Sequence, residues 1–434
     1  MGHLNRFRPP GQSADSSPGC LPGESPAILI RFSSEQGAAM LPVGLQLTLF
    51  RCLALLLALA AGSGALAPAA FAEDQGTATP SSGSLALSRA AGFQIDYYPG
   101  YKLVTVPSPW PGATRGYRYL LVRRGSAAPA TSVLPEARRL EIPLRRIVTF
   151  STSYLPAITS LGEAASVVGV DAAAYINDPA IRARLVAGTT VEVTRNYQPD
   201  LERILALAPD GIFTYGMGNE WDSHPKLIEA GLPVIIDAEW NETDPLARAE
   251  WVIFIAAFYD KEAQALAWYR TVEKNYLSLK SRAAQAATRP PRVLNNGPFQ
   301  GSWTVSGGGS FMARLIADAG GAYLWADTKG SGGLTLSVEA VYERALTADI
   351  WLSPSLMASK ISDVTALDRR FSGLPVVKSG RIWNNNLRMN ATGGNDFFES
   401  AVIRPDLVLA DLVAIFHPEL MPGAALTWFR RLEP

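Results

Sequence analysis

The chain has 434 residues, with 39 basic and 39 acidic side chains and a formal net charge of zero. Its composition, 48% hydrophobic and 9% aromatic, supports a buried core and excludes wholesale disorder. The balanced charge argues against a nucleic-acid partner, which normally requires a basic excess or patch. The two cysteines exclude a disulfide-dense scaffold and a zinc-ribbon array. A chain of this length predicts about two or three domains.

The first 72 residues have the pattern of an export signal. An apolar run, Leu53–Ala61, follows Arg51 and precedes the small-x-small sequence Ala70-Phe71-Ala72. The run is about ten residues long, half of what a membrane span needs. We therefore expect a signal peptide over 1–72 that is cleaved between Ala72 and Glu73, with an uncleaved membrane anchor as the alternative.

Both cysteines lie in this leader. Cys52 precedes the apolar run, whereas a lipoprotein cysteine follows it, so we expect a soluble product in the periplasm. Residues 1–39 are rich in Pro, Gly and Ser and lie upstream of Met40, so we expect translation to start at or near Met40, which would leave 1–39 untranslated. Removing residues 1–72 leaves 35 basic and 36 acidic side chains and no thiol, which excludes cysteine chemistry in the mature chain.

The first half of the mature chain predicts a β segment followed by alternating strands and helices. Alternation at Phe93, Ile95 and Tyr97 predicts two or three strands. Farther along, the predicted strands are 146–150, 167–170, 211–215 and 234–237, and the predicted helices are 154–161, 201–208 and 224–230. Strands separated by short helices indicate a parallel sheet covered on both faces.

A helical stretch then separates this block from a second one. Asp244-Pro245 is a good helix start, and Asp260-Lys261 predicts a break. Beyond the break one apolar stripe predicts a single long helix, and it consists of Leu266, Tyr269, Val272, Tyr276 and Leu279. In the second block we predict strands at 292–295, 349–352 and 380–383 and helices at 311–319, 337–346 and 405–416.

Four stretches in this order resemble the class III periplasmic substrate-binding proteins of ABC importers, the family that carries ferric siderophores, haem and vitamin B12. The stretches are RIVTFSTSY (146–154), LERILALAPD (201–210), LPVVKSGRIW (374–383) and RPDLVLADL (404–412), the last followed by His417-Pro418-Glu419. Together they span about 146–419.

The resemblance implies an α/β fold of two Rossmann-like lobes with parallel sheets, joined by a long connecting helix and preceded by a small N-terminal β segment. The expected boundaries are a leader over 1–72, a flexible leader over 73–90, the β segment over 91–145, the first lobe over 146–244, the helical connector over 245–290 and the second lobe over 291–434.

In such a fold the ligand lies between the lobes, at the carboxyl ends of the strands. Aromatic and polar side chains recur at these ends, and flat metal chelates stack well on aromatic rings. The resulting ligand-binding candidates are Ser153, Tyr154, Tyr175, Tyr197, Tyr215, Met217, Trp240, Phe299, Trp303, Arg388, Asn390, Asp396 and Phe397. Asn384–Asn386 also follow a predicted strand.

Several of these candidates have alternative interpretations. Arg388 either pairs with a ligand carboxylate or is a solvated surface residue. The tyrosines either pack, contact ligand or ligate a ferric centre directly, as tyrosine does in some haem proteins. His224 and His417 are interpreted as structural, and no resident metal or cofactor is expected. The resemblance further implies that an acid on each lobe docks onto the permease; Glu220 and Glu339 match by position, although an acid at a helix start also interacts favourably with the helix dipole.

The function that follows is non-catalytic: a monomeric, exported protein captures a metal chelate and delivers it to an ABC permease and its ATPase. The Gly-rich stretch Ser306–Ser310 lacks the lysine of a P-loop and does not have the dinucleotide-binding spacing. The alternatives are a periplasmic chelatase-like or hydrolytic enzyme on the same lobes, and a ligand-sensing domain without transport.

Overall fold

The structure, a computed structural model, describes residues 82–127, 129–130, 134–196, 198–286 and 289–434. The signal peptide, the cleavage between Ala72 and Glu73 and both cysteines lie outside these residues. Within them, no helix combines the length and the apolar character needed to cross a membrane.

The described chain begins with a five-stranded sheet in the order β1-β2-β3-β4-β5. The strands are β1 (Gly83–Ser84), β2 (Gln94–Tyr98), β3 (Tyr101–Val106), β4 (Tyr117–Arg123) and β5 (Arg138–Ile142). Neighbouring strands are antiparallel up to β4, whereas β5 runs parallel to β4. The sequence predicted only two or three strands, because a parallel pair is not joined by a tight turn and leaves no hairpin signal.

The segment that precedes β2 corrects another expectation. Residues 73–90 were predicted to be a flexible leader, but β1 pairs with β2, and the Leu85 N–H donates to the Ile95 carbonyl over 2.9 Å. The backbone N–H groups of Ser88, Arg89 and Ala90 then donate to the buried Glu250 carboxylate at 2.6–2.8 Å. Residues 82–90 are therefore part of the folded body, held by a carboxylate 160 residues away in the chain.

The first lobe is built on a fully parallel sheet in the order β12-β11-β6-β7-β8. The strands are β6 (Ile147–Thr149), β7 (Val167–Val170), β8 (Val191–Glu192), β11 (Gly211–Thr214) and β12 (Val234–Ile236), and β9 (Thr194–Arg195) pairs with β10 (Gln198–Pro199) beside it. The helices are α1 (Leu155–Ser160), α2 (Pro179–Val186), α3 (Leu201–Leu207) and α4 (His224–Glu229). The predicted strands and helices of this lobe are confirmed, and Gly162, which ends α1, has the positive φ of 80° that favours glycine.

The connector contains two short helices and one long helix: α5 (Pro245–Glu250), α6 (Val252–Ala257) and α7 (Glu262–Ala286). Asp260 interrupts them with a φ of 61°, which confirms the predicted break. The predicted stripe on α7 is also confirmed, because Tyr269, Val272 and Tyr276 are buried. At the start of α7 the buried Glu262 forms an ion pair with Lys102 of β3 and so ties the N-terminal sheet to the connector.

The second lobe has a five-stranded sheet in the order β16-β13-β18-β19-β20, parallel except for β20. Its strands are β13 (Arg292–Asn295), β16 (Ala322–Tyr323), β18 (Ile350–Leu352), β19 (Ile382–Asn384) and β20 (Arg430–Arg431). An antiparallel sheet of β14 (Pro298–Phe299), β15 (Ser302–Ser306) and β17 (Gly333–Ser337) lies between them in the chain and was not predicted. The helices are α8 (Phe311–Asp318), α9 (Val338–Ala345), α10 (Ile361–Leu367), α11 (Pro375–Lys378) and α12 (Pro405–Phe416).

Candidate functional site

The loops that follow the parallel strands of the first lobe expose large apolar side chains. Tyr175 follows β7, and Tyr215, Met217 and Trp221 follow β11; all four are exposed, Trp221 by 78%. Carboxyl ends of parallel strands meet at one edge of a sheet, so these loops share one edge of the lobe. We call Tyr175, Tyr215, Met217 and Trp221 the first-lobe rim.

The loop after β11 is held in shape by hydrogen bonds and by the N-terminal sheet. The Asp222 carboxylate accepts the N–H groups of Met217 and Gly218, both at 2.8 Å. The Trp110 ring, from the connection between β3 and β4, packs on the backbone of Gly216 and Gly218 so closely that an added Cβ would lie 2.5 or 2.6 Å from ring carbons. The loop therefore requires glycine at these two positions and presents its exposed side chains from a fixed backbone.

The corresponding edge of the second lobe also exposes apolar side chains, but its polar residues point inward. Phe299 follows β13 and is 74% exposed, and Met357 follows β18 and is 65% exposed. Asn384 and Asn386 are buried, and their amide nitrogens donate to the carbonyls of Ser355, Leu356 and Ala358 at 2.6–3.1 Å. These asparagines join the loops after β18 and β19 and are not free to contact a ligand.

Acids and phenols lie at and behind the first-lobe rim, with Asp237 and Tyr154 buried and Tyr215 exposed. Burial raises the pKa of Asp171 to about 6 and holds the pKa of Asp237 well above its ordinary value, with Glu239 adding to the second effect. Burial also raises the pKa values of Tyr154 and Tyr215, which disfavours the phenolate form needed to ligate a ferric ion. Among the described residues, no group of three or more His, Cys, Asp or Glu side chains is arranged to hold a metal ion.

The two lobes touch each other directly between residues 174–178 and 390–399, which we call the inter-lobe contact. The Glu399 carboxylate of the second lobe accepts the backbone N–H groups of Asn177 and Asp178 at 2.6 and 2.7 Å. The Asn390 amide donates to the carbonyls of Ala174 and Ile176, both at 3.0 Å. Donor and acceptor are more than 200 residues apart in the chain in each case, so these bonds hold one lobe against the other.

Gly394 allows this close approach. A Cβ at that position would lie 2.4 Å from the Tyr175 carbonyl oxygen of the opposite lobe. Beside the contact, a cavity of about 140 Å³ is lined by both lobes and by the connecting helix, including Asp178, Trp268 and Arg404. Burial, followed by the charge of Asp396, raises the pKa of Glu399 to about 7. The carboxylate that joins the lobes therefore titrates near neutral pH.

The structure separates the ligand-binding candidates into two groups. Tyr175, Tyr215, Met217 and Phe299 are exposed at strand ends, as a ligand contact requires. Trp240 is half-buried, and Tyr197 lies outside the described residues. The Arg388 side chain is 46% exposed, and its guanidinium forms an ion pair with Asp396 of the same chain at 2.9 Å. Arg388 is therefore a surface residue with a partner inside the chain.

The remaining candidates do not lie where a ligand contact was expected. Tyr154, Trp303 and Phe397 are buried in lobe cores, with Trp303 stacked on Trp351. Ser153 is buried beside Ser151. The buried Asp396 accepts the Trp428 indole N–H at 3.0 Å and the Ser400 hydroxyl at 2.7 Å. Asn390 is engaged in the inter-lobe contact. Trp303 lies within β15 and the others follow strands, but each side chain turns toward the core or the opposite lobe.

Sequence reasoning missed the residues that build the contact and the loop. Glu399 lies three residues beyond Asp396, and nothing in its local sequence indicates a partner in the opposite lobe. Trp110 belongs to the N-terminal segment, outside the stretches that carry the resemblance. Trp221 lies beside the predicted Met217 and Glu220, so its position after β11 was a usable signal.

The two docking candidates are both exposed, but their surroundings differ. Glu220 lies on the loop after β11, next to Trp221. Glu339 lies in the first turn of α9 and accepts the Arg370 guanidinium at 2.8 Å, while its side chain stays 69% exposed. The hydrogen bond from Arg370 lowers the pKa of Glu339, which keeps that carboxylate ionised.

Two sheets with parallel strands, one long bridging helix and a rim of exposed aromatic side chains define a two-lobed binding protein. The chain belongs to the periplasmic binding protein family, whose sequence profile matches residues 147–384. The N-terminal sheet lies outside that match.

The chain is similar to a protein of Methanocaldococcus jannaschii described as an uncharacterized lipoprotein, with 26% identity over 329 residues that cover 72% of this chain and 76% of the relative. Solved structures with a similar fold include a possible iron-binding, periplasmic solute-binding protein of Staphylococcus epidermidis, 17% identical, covering 63% of this chain and 99% of that chain at a TM-score of 0.49. Another is the periplasmic vitamin B12 binding protein of Vibrio cholerae, 15% identical, covering 64% and 99% at a TM-score of 0.46.

Proposed function

We propose that the protein is the solute-binding component of an ABC importer and that it captures a metal chelate, namely a ferric siderophore, cobalamin or haem, between its lobes. The permease and its ATPase then take the chelate across the membrane. Membership of the periplasmic binding protein family supports the binding role. The chelate class rests on the rim and on the resemblance of the four sequence stretches.

The exposed apolar side chains at the strand ends of both lobes are the observation that carries the proposal. Single exposed apolar side chains are common on protein surfaces, but a group of them gathered at one edge marks a contact surface. Here they recur after strands of both lobes: Tyr175, Tyr215, Met217, Trp221, Phe299, Met357 and Leu387. A flat chelate with a partly apolar surface buries such side chains, and tyrosine and tryptophan supply large contact areas with little loss of conformational entropy.

A panel of coloured chelates tests the proposal. The exported chain is titrated with haemin, cyanocobalamin and ferric enterobactin, and binding is followed by the shift of the chelate's visible absorption. We expect one of the three to bind with micromolar or tighter affinity and a stoichiometry of one. Failure of all three, while circular dichroism shows a folded protein, would contradict the chelate class.

Delivery to the permease requires a docking surface, which we assign to Glu220 and Glu339. Reversing both charges with Glu220→Lys and Glu339→Lys is expected to abolish uptake in cells while leaving chelate affinity within about twofold, because neither side chain belongs to the rim. Glu202, an exposed acid in the first turn of α3, provides the matched control Glu202→Lys. Normal uptake by the double variant would refute the docking assignment.

For location, we propose export through a signal peptide cleaved after Ala72 and activity outside the cytoplasm. The word lipoprotein in the names of the Methanocaldococcus relatives describes exported, membrane-attached proteins and agrees with that location. A membrane-attached product would differ from the soluble product that we predict from the position of Cys52. Mass spectrometry of the mature N-terminus distinguishes a free Glu73 from a lipid-modified cysteine.

A further inference from the structure

The neutral total charge of the chain conceals a strong separation between its regions. Residues 82–145, which contain the N-terminal sheet, carry nine basic and three acidic side chains, whereas residues 146–434 carry 26 basic and 31 acidic ones. The N-terminal segment that contains the sheet thus has a net positive charge, whereas the two lobes and the connector together have a net negative charge. A basic excess of this kind attracts anions over distances comparable with the Debye length.

The arginines of the sheet fall into two groups. At one end, Arg123 pairs with Asp260 at 2.8 Å, and Arg124 pairs with Glu141 and Asp210 at 2.9 and 3.1 Å. Elsewhere a groove of about 1040 Å³ between the sheet and the first lobe is lined by four further arginines, Arg115, Arg118, Arg138 and Arg139. We call this the basic groove.

Compensating charge in the basic groove is scarce. Among the residues that the structure describes, its one lining acid is Glu136, which pairs with Arg118 at 3.5 Å and has an 83% exposed side chain. Arg115, Arg138 and Arg139 form no ion pair with any carboxylate of the described residues. Three guanidinium groups therefore share one hollow without a neutralising partner there, in contrast to Arg123 and Arg124 on the same sheet.

The walls of the groove are fixed. Tyr119 of β4 is buried, and its hydroxyl accepts the Ile236 N–H of β12 at 2.7 Å, which joins the sheet to the first lobe. Tyr117, half-buried, packs edge-on against His224 of α4 with ring centroids 6.2 Å apart. Both tyrosines line the groove, together with Ile228 and Val234 of the lobe. The guanidinium groups thus all come from the N-terminal segment, which these contacts hold against the first lobe.

We propose that the basic groove binds a phosphate-bearing polyanion. Guanidinium groups bind phosphate oxygens in bidentate fashion, and several unpaired ones in one concavity match a ligand that carries several negative charges close together. The same chemistry is offered by a free polyphosphorylated solute and by the headgroups of an anionic membrane. The basic groove shares no lining residue with the first-lobe rim, so anion binding and chelate capture are tested separately.

The test uses the full exported chain and two probes at physiological salt. Sodium tripolyphosphate, followed by isothermal titration calorimetry, represents a free solute. Sedimentation with phosphatidylglycerol–phosphatidylcholine vesicles, compared with vesicles of phosphatidylcholine alone, represents headgroups. Binding in one arm supports the proposal and identifies the source. Binding in neither arm would overturn it and leave the arginines as a charged edge that keeps β5 from pairing with other chains.

A matched pair of variants locates the site. The triple variant Arg115→Gln, Arg138→Gln, Arg139→Gln is expected to weaken binding at least about tenfold, because each charge-assisted hydrogen bond contributes strongly to affinity. The triple variant Arg123→Gln, Arg124→Gln, Arg145→Gln removes the same number of charges from the N-terminal segment outside the groove and is expected to change affinity less than twofold. Equal effects of the two variants would show that only overall charge matters and would refute the site. Thermal unfolding of each variant confirms that the fold is kept.

Discussion

In the first lobe the loops after β7 and β11 turn Tyr175, Tyr215 and Met217 toward solvent, whereas in the second lobe the loop after β19 turns Asn384 and Asn386 inward. The two edges occupy equivalent places in similar sheets. The first supplies an adaptable contact surface of aromatic and thioether groups, while the second uses amides to fix its own loops and Glu399 to hold the opposite lobe. Position at a strand end therefore does not by itself make a residue a ligand contact.

The sharpest test of that distinction compares two aromatic residues of one hairpin. Trp303 is fully buried against Trp351, and Phe299, four residues beyond β13, is 74% exposed. Trp303→Ala is expected to lower the free energy of unfolding by about 3–5 kcal/mol, because it leaves a cavity in the core of the second lobe. Phe299→Ala is expected to stay within about 0.5 kcal/mol and to weaken chelate binding instead.

Urea unfolding monitored by circular dichroism gives both free energies, and the chelate titration gives the affinities. If Trp303→Ala weakened chelate binding without loss of stability, Trp303 would be a ligand contact and not a core residue. A similar loss of stability in both variants would mean that Phe299 is packed in solution.

The inter-lobe contact predicts a dependence of stability on pH. The pKa of Glu399 is raised to about 7 in the folded chain from the ordinary value of 4.5, so the folded chain retains a proton that the unfolded chain has released between these values. Stability should therefore fall as the pH rises from about 4.5 to about 7, by up to about 3 kcal/mol. Asp171, with a pKa raised to about 6, adds a smaller fall in the same direction.

Glu399→Gln isolates this contribution. The amide does not titrate, so the variant should lose the part of the slope due to Glu399 and keep the parts due to Asp171 and Asp237. Its stability at low pH should be lower, because the amide NH₂ faces a backbone N–H. Urea midpoints measured from pH 5 to pH 8 give the slopes. Glu343→Gln, at an exposed position of α9, is the control and should retain the parental slope. An unchanged slope in Glu399→Gln would contradict the raised pKa.

A small effect on stability is also expected in the first-lobe rim. Tyr215→Ala should weaken chelate binding about tenfold, since an exposed aromatic ring that becomes buried on binding contributes more than about 1 kcal/mol. Its free energy of unfolding should change by less than about 1 kcal/mol. Tyr98→Ala, on the N-terminal sheet, is the control, because Tyr98 is 41% exposed and Tyr215 is 40% exposed. Parallel losses of affinity in both variants would refute a local contact at Tyr215.

Most of the fold was predictable because the spacing of apolar residues along each segment indicates a strand or a helix. The strands 167–170 and 292–295 and the terminal helix 405–416 match their predicted bounds, and the break at Asp260 follows from the change in pattern before the stripe of α7. The parallel β4–β5 pair was not predictable, because Gly125, Pro129 and Pro135 between the strands indicate a loop but do not indicate which strand β5 pairs with.

The site was predictable only as a set of loops. Beyond the last residue of a strand the two-residue alternation ends, so the sequence no longer indicates which side chain faces the core; Tyr154 and Tyr215 illustrate the two outcomes. The bonds from Glu399 to Asn177 and Asp178 join distant parts of the chain through backbone donors, which every residue other than proline possesses. Only the folded chain shows where such a carboxylate finds its partners.

The long helix α7 belongs to both hydrophobic cores at once. Ala265 and Tyr269 pack in the core that joins the first lobe and the N-terminal sheet, and Val272, Tyr276 and Ala283 pack in the core of the second lobe. Dividing the chain anywhere along this helix would expose an apolar face on one side of the cut. Neither lobe is therefore a separable folding unit, and the described body should unfold in one cooperative transition rather than lobe by lobe.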